Sequence, residues 1–474
     1  MFDQNENDEA FDITELLEQY QSAIRNNTPI FLDEDSLEIL IDHYEFMGDY
    51  SNAHQLCNIG IENHAFSSVF YLRKATLFLE QQELEKAEDL IEKATLFNPN
   101  DIEIVFSNAQ LLVAKGLHDE AIALIKNKLK DHIPAEEKSD LMLEIAAIYE
   151  DKEQFDKMFD ALKSALIFDY NNEEAYHRIW LCTEMTEKYE ESIKLHEQII
   201  NESPYSFLAW YNLGHAYYGL EKYEKAIEAY EYVQAIDDQN DYILKDIGEV
   251  YFKIKRIDKA IETFSEYLQN NKEDEEIYYN LGMCFEEDKN YVKARQNYEK
   301  ATRIDNSYDE AFFRIGECYA KQSKWQNAIN YYKKAIKINE HRGDYYVALA
   351  KSCIQTNDLE SALLYFNDAV QQQPRRLESW IEYINTLYDL GTYEFAMQTI
   401  DAALNILPDA YELRLVQSCI LLEEKRIDEA YQNLSFLCER KLINSDTIEE
   451  LCVFFEDETA IQEMLFAVKK EFNL

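Results

Sequence analysis

The chain has 474 residues, 47% hydrophobic and 13% aromatic, so it can bury a large core, and wholesale disorder is excluded. Its 10 Gly and 6 Pro are too few for an all-β chain with many tight turns. A net charge of −47, from 93 acids against 46 bases, argues against nucleic acid and anionic membrane surfaces as partners, because both require clusters of Lys and Arg.

The opening segment MFDQNENDEAFDI has no basic region and no apolar region of a secretion signal. No run of about 18 uncharged apolar residues is present either, so no membrane span is expected. Eight Cys without paired spacings read as free thiols, and the expected location is cytoplasmic. Residues 12–25 place Ile13, Leu16, Leu17, Tyr20 and Ile24 on one helical face, and Thr28-Pro29 breaks that helix. Residues 1–33 are thus expected to form an acidic tail and a capping helix.

From Glu34 a 34-residue period sets in. Repeats start at Glu34, Ser68, Ile102, Ser139, Glu173, Phe207, Asp241, Glu275, Asp309, Gly343, Leu377 and Tyr411, and run to residue 444. Only the repeat from Ile102 is longer, with its surplus residues near His132–Lys138. Position 20 is Ala in every repeat except those with Met158 and Ser192. Position 8 is small in nine repeats, including Ala75, Gly214, Gly248, Gly282 and Gly316, which marks a close crossing of two helices. Ile41, Trp180 and Ile384 break that column, and distorted packing is expected there. Position 17 is large and apolar in eleven repeats, as in Tyr50, Phe155, Tyr223 and Trp325, and suits the start of a second helix. Pro99, Pro204, Pro374 and Pro408 at position 32 close that helix. One helix pair cannot bury both its apolar faces, so the pairs must stack.

The residues Trp210, Leu213, Gly214, Tyr217, Ala226 and Tyr230 fit W-x2-LG-x2-Y…A-x3-Y, and the pattern resembles the tetratricopeptide repeat. The resemblance covers residues 34–444, and the chain is also similar to long acidic soluble bacterial proteins of that family. It implies an all-α, right-handed superhelical solenoid of about twelve helix pairs with N- and C-terminal capping helices. Residues 445–474 supply the C-terminal cap, with Ile448, Leu451, Phe454 and Phe455, then Ile461, Leu465, Phe466 and Val468, as its apolar faces.

Catalytic signatures are missing. There is no GxGxxG, no phosphate-binding GxxxxGK[ST] and no GxSxG. HEQII at His196 lacks the second His of a zinc motif and reads as helix packing and surface. The acidic loop Asp237–Asp241 lacks the Gly and distal Glu of a calcium loop. Cys182, Cys284 and Cys318 recur at position 10, as packing residues would. His177 and His215 are placed on the outer face of the first helix, without an orienting partner for catalysis. Neither metal, cofactor nor enzymatic activity is expected.

In the family the first helix of each pair lines a concave groove, through positions 2, 5, 9, 12 and 13. Those positions hold 22 acids and 4 bases here. Nine of the acids sit at position 2, where the helix dipole favours them anyway, but 13 against 4 remains above the overall ratio of 93 to 46. A central cluster of Tyr211, His215, Tyr218, Tyr242, Lys245, Glu249, Phe252, Tyr279, Phe313 and Glu317 combines aromatic anchors with charge, as binding hot spots do. The expected function is a non-catalytic scaffold that holds a basic peptide or protein segment there. The alternative is a regulatory peptide sensor or a co-chaperone-like adaptor. A family clamp for C-terminal carboxylates is a poor fit: Lys245, Asn280 and Arg314 match it, but Glu249 and Glu310 would repel the ligand.

Overall fold

A computed structural model describes residues 5–26, 28–237, 241–455 and 458–472, so the acidic loop at 237–241 lies largely outside the described residues. Every regular element among them is an α-helix, and none is long and apolar enough to cross a membrane. The chain divides into two compact halves, the first ending at Gln239 and the second beginning at Asn240.

In the first half α1 (Asn5–Asn26) precedes six helix pairs. These are α2 (Glu34–Phe46) with α3 (Tyr50–Asn63), α4 (Val69–Glu80) with α5 (Leu84–Phe97), and α6 (Ile102–Ala114) with α7 (His118–Lys128). Then come α8 (Ala135–Asp151) with α9 (Phe155–Phe168), α10 (Glu173–Thr186) with α11 (Tyr189–Glu202), and α12 (Phe207–Gly219) with α13 (Tyr223–Ile236).

The second half has six more. They are α14 (Ile243–Lys253) with α15 (Ile257–Asn270), α16 (Glu275–Glu287) with α17 (Tyr291–Ile304), and α18 (Asp309–Ala320) with α19 (Trp325–Ile338). After them come α20 (Gly343–Gln355) with α21 (Leu359–Gln372), α22 (Leu377–Asp389) with α23 (Tyr393–Ile406), and α24 (Tyr411–Glu423) with α25 (Ile427–Glu439). Two further helices, α26 (Ser445–Phe454) and α27 (Thr459–Phe472), end it. Within each half consecutive helices pack on one another, making an all-α repeat solenoid.

All twelve second helices begin at position 17. The first helices begin within two residues of the expected starts, except α8, which begins at Ala135 rather than Ser139. Here the surplus residues near His132–Lys138 lengthen α8, while α7 stops short at Lys128.

Where position 8 is glycine, it seats a ring from position 24 of the same repeat. A Cβ at Gly214 would lie 2.3 Å from the Tyr230 ring, one at Gly248 2.5 Å from Phe264, one at Gly282 2.4 Å from Tyr298, and one at Gly316 2.5 Å from Tyr332. All four rings are at most 1% exposed, and burying such a side chain is worth roughly 1.5–3 kcal/mol. Where position 8 is large, position 24 is not a Phe or Tyr: Ile41 stands with Cys57, Trp180 with His196 and Ile384 with Ile400. Ile41 and Ile384 are fully buried, so their repeats absorb the change. Trp180 is not absorbed. It is 39% exposed, and α10 packs on α9 and α12 far more than on its own partner α11.

The turn between paired helices repeats as strictly. Position 15 takes the left-handed conformation in all twelve repeats, although only Gly48, Gly116 and Gly391 are glycines there. In the repeat from Leu377, Gly391 N–H donates to the Tyr388 carbonyl (2.8 Å) and Thr392 N–H to Leu387 (3.0 Å), a Schellman closure of the helix. Between repeats, Tyr176 Oη donates to the Tyr170 carbonyl (3.0 Å), Trp210 Nε1 to Pro204 (2.9 Å) and Trp380 Nε1 to Pro374 (2.8 Å). In each case a position 4 side chain ties its helix to position 32 of the preceding repeat.

The caps depart from expectation in detail. Leu16 and Tyr20 of α1 are buried, but Ile24 is 47% exposed. On α27 the buried stripe is Ile461, Met464, Leu465 and Val468 at helical spacing, which leaves Phe466, one step off it, 68% exposed. The side chain of Phe454 lies outside the described residues.

Two substitutions in the repeat from Glu275 separate these constraints. Gly282→Ala is expected to destabilise by about 1–3 kcal/mol, because the Tyr298 ring must move. Lys289→Gly, at a left-handed position (φ 59°), is expected to stabilise by up to about 1 kcal/mol. The midpoint of urea unfolding of the full chain measures both.

Candidate functional site

The ten residues singled out from the sequence fall in both halves. Tyr211, His215 and Tyr218 lie on α12 of the first half. Lys245, Glu249 and Phe252 lie on α14, with Tyr242 at its N-cap, Tyr279 on α16, and Phe313 and Glu317 on α18, all in the second half.

On α12 the aromatic groups pack on one another. His215 is held edge-on by Tyr211 (4.6 Å) and Tyr230 (5.7 Å), with Trp180 at 5.3 Å. Its Nε2 is buried without a hydrogen-bond partner, and burial lowers its pKa to about 4. His215 is therefore neutral near pH 7 and half-buried among these rings, whereas His177 is exposed. Position 9 of this repeat meets rings on three sides, which a one-dimensional pattern does not show.

In the second half the expected anchors differ in access. Tyr242 is 66% exposed, with Lys245 Nζ 5.7 Å from its ring centre. Phe313 is half-buried and stacks on Tyr345 at 4.6 Å. Tyr279 is only 7% exposed, packed between Tyr298 (5.4 Å) and Tyr308 (5.1 Å), so it belongs to the core instead of offering a free ring. The cations are engaged. Lys245 bonds Asp274 at 2.6 Å, and Arg314 lies 3.8 Å from Glu286. Burial pulls Lys245 down, but Asp274 and the Tyr267 hydroxyl outweigh it and hold the ammonium above its ordinary range. Two cations of the carboxylate clamp thus already face acids.

Among the described residues Glu249 has no ion pair, and desolvation followed by the nearby Glu276 raises its pKa, with Lys245 opposing. The same happens on first-helix faces of the first half. Desolvation and then Asp101 raise Glu103, while desolvation and then Asp169 raise Asp140. Desolvation also raises Glu144, with Arg178 opposing and Glu174 adding to the rise. Each carries the cost of negative charge crowded onto these faces.

The first helices of the second half line a succession of cavities. One of 420 Å³ is bordered by Phe252, Met283, Glu286, Arg314 and Lys321, on α14, α16 and α18. One of 580 Å³ lies across α18, α20 and α22, bordered by Glu317, Lys321, Val347, Lys351, Glu378 and Glu382 among others. Positions 2, 5, 9, 12 and 13 contribute to it. Its charges are partly paired: Lys351 with Glu382 at 2.6 Å, and Arg376 with Asp344 at 3.6 Å. Tyr332 Oη donates to Glu317 (2.5 Å), and Ser379 Oγ is buried with no hydrogen-bond partner. Of the expected site residues only Glu317 borders this cavity, and Phe252 borders the smaller one. Sequence reasoning counted Lys351 among the four bases of the groove face but missed Ser379, Arg376 and Glu382, because their value comes from three helices meeting.

The motifs set aside as packing can be placed as well. Cys182, Cys284 and Cys318 are fully buried, and burial pushes their thiols up to about 11, 12 and 12. Among the described residues no group of three or more His, Cys, Asp or Glu is arranged to hold a metal ion.

Tetratricopeptide-repeat family models match residues 207–240, 245–309, 309–342 and 343–376. The chain is a tetratricopeptide-repeat protein. The matched repeats are those in which a Tyr or Phe at position 24 sits over Gly or Ala at position 8, while repeats with Ile41, Trp180 or Ile384 there go unmatched. No match is found among curated protein sequences. Among solved structures, this tetratricopeptide-repeat chain is similar to YrrB, described as a TPR protein with an unusual peptide-binding site. The two share 18% identity and a TM-score of 0.34, over 39% of this chain and 95% of that one. A tetratricopeptide repeat protein from Parabacteroides merdae gives 15% and 0.39, over 55% and 99%. The APC/C hetero-tetramer Cut9–Hcn1 gives 13% and 0.37, over 86% and 92%. The assignment rests on the repeat models and not on these likenesses.

His196, at position 24 of the repeat opened by Trp180, is fully buried, and neither ring nitrogen has a hydrogen-bond partner. Burial lowers its pKa from 6.5 to about 3. Between those values the unfolded chain takes up a proton and the folded chain does not, so this residue's contribution to stability is present above pH 6.5 and is lost as pH falls toward 3. The slope is at most about 1.4 kcal/mol per pH unit. Raised carboxyls such as Glu144 act in the opposite sense, so the comparison is made against a variant. His196→Leu is expected to lose less stability than wild type between about pH 7 and about pH 5, measured by urea unfolding at each pH.

Proposed function

We propose that this protein is a non-catalytic interaction scaffold, and that the first-helix face of its second half holds a peptide or protein segment carrying basic residues. The observation that carries the reading is the succession of 420 and 580 Å³ cavities, lined by the same helix positions in consecutive repeats. A segment laid across α14 to α22 would meet a half-buried or exposed ring at Phe313, Phe252 or Tyr242, and acids at Glu249, Glu317, Glu378 and Glu382. The preference for a basic partner is supported by the crowding of negative charge, since a cation near Glu249 would relieve the repulsion that raises it. Similarity to YrrB, whose description names a peptide-binding site, agrees with a peptide ligand but carries no weight alone.

The test is affinity capture on the immobilised full chain from a lysate of the native cell, at about 50 and about 300 mM salt. Wild type is compared with a Glu249→Lys/Glu317→Lys variant. Captured partners are expected to be basic in the contacting segment, weakened at the higher salt, and lost from the variant. Partners retained at both salt concentrations and by the variant would place binding elsewhere on the molecule.

A further inference from the structure

The first-helix face of the second half changes character toward its C-terminal end. On α14, α18 and α20 the fifth, sixth and ninth positions include Lys245, Asp246, Glu249, Arg314, Glu317 and Lys351. On α24 the same three positions are Leu415, Val416 and Cys419, all only partly buried. A further repeat would cover them with its own first helix, but α26 lies there instead. It is short, at 10 residues, and it is α27 that packs on α25. The result is a cavity of 340 Å³ whose floor is Leu415, Val416, Cys419 and Leu451, with Asn385 and Glu450 at its edge.

This apolar cavity adjoins the larger charged one through α22. Ser379 and Glu382 face the 580 Å³ cavity, and Asn385 and Tyr388 face the 340 Å³ one. From Glu382 to Asn385 the rise along the helix is about 4.5 Å, between one and two residues of an extended chain. Acids outnumber bases around the larger cavity: Glu317, Asp344, Glu378 and Glu382 against Lys321, Lys351 and Arg376. The Ser379 hydroxyl there is 1% exposed and unpartnered, so a ligand donor would satisfy it.

We propose that the two cavities form one bipartite site for a peptide segment. A bulky apolar side chain enters the pocket walled by α26, and a Lys or Arg a residue or two away lies beside Ser379, Glu378 and Glu382. This deepens the reading of the second half as a segment-binding scaffold and rests on it. The C-terminal helices then have a second role besides covering the last repeat, because Leu451 completes the pocket.

The probe is a random peptide display library selected on the full chain, followed by affinity measurement on the enriched peptides. Expected sequences pair Leu, Ile, Met or Phe with Lys or Arg within about two positions. Cys419→Trp, which fills the pocket without adding charge, and Val416→Asp are each expected to weaken binding at least about tenfold. Circular dichroism checks that both variants fold. In the Cys419→Trp protein, replacing the peptide's apolar residue by Ala should have little further effect. If Glu382→Lys abolishes binding while both pocket variants retain it, the scaffold reading stands and the bipartite site falls. If all three variants bind as wild type does, or no sequence is enriched, both readings fall. If the pocket variants instead abolish self-association in sedimentation, the occupant is a second copy of the chain and the proposal is overturned.

Discussion

The structure depends on one packing constraint: within each repeat the two helices can approach only as closely as positions 8 and 24 together allow. Where position 8 is glycine, a Tyr or Phe ring from position 24 occupies the space a Cβ would take, and the pair closes over a fully buried ring. Where Trp180 stands at position 8, the pair opens, and α10 turns to its neighbours α9 and α12. Protein interiors tolerate neither the overlap nor the void, so the identity of two side chains sets the geometry of a whole hairpin. The buried, unpartnered His196 lies in the same repeat as that opened crossing.

The second constraint is charge. An excess of acid that is harmless on a convex, solvated surface becomes costly where the first helices gather it on one face. Glu103, Asp140, Glu144 and Glu249 all have carboxyls raised by desolvation and by acids next to them. The ion pairs that join successive repeats, such as Lys152–Asp119 at 2.7 Å and Lys351–Glu382 at 2.6 Å, are exposed and individually worth little. They leave the imbalance largely in place. The proposed basic partner would meet faces in this state.

Much of the fold could be read from residue columns. Ala at position 20, a large apolar residue at position 17 and Pro at position 32 located both helices and the turn between repeats, because helical periodicity places those residues where only certain sizes fit. The left-handed turn at position 15 was not legible, since Gln, Glu, Lys, Ser and Asn take that conformation in nine of the twelve repeats. The closing hydrogen bonds and the packed helix ends impose it, and residue type records it only at Gly48, Gly116 and Gly391. Phe466 and Ile24 were misplaced for a related reason: a cap meets solvent on more sides than a repeat does, so its apolar stripe is narrower.

By itself the sequence determined the repeat length, the helix pairs, the number of repeats and the acid excess of the first-helix faces. All of these follow from local spacing and composition. Only the tertiary structure decided which residues at those faces are available. It drew Tyr279 into the core and packed His215, half-buried, among rings. It also brought Lys351, Ser379 and Glu382 together around one cavity, and set Leu451 of the cap beside Val416. These outcomes depend on how three or more helices meet, and side chains about 30 or more residues apart in the chain share a cavity only after the repeats have stacked.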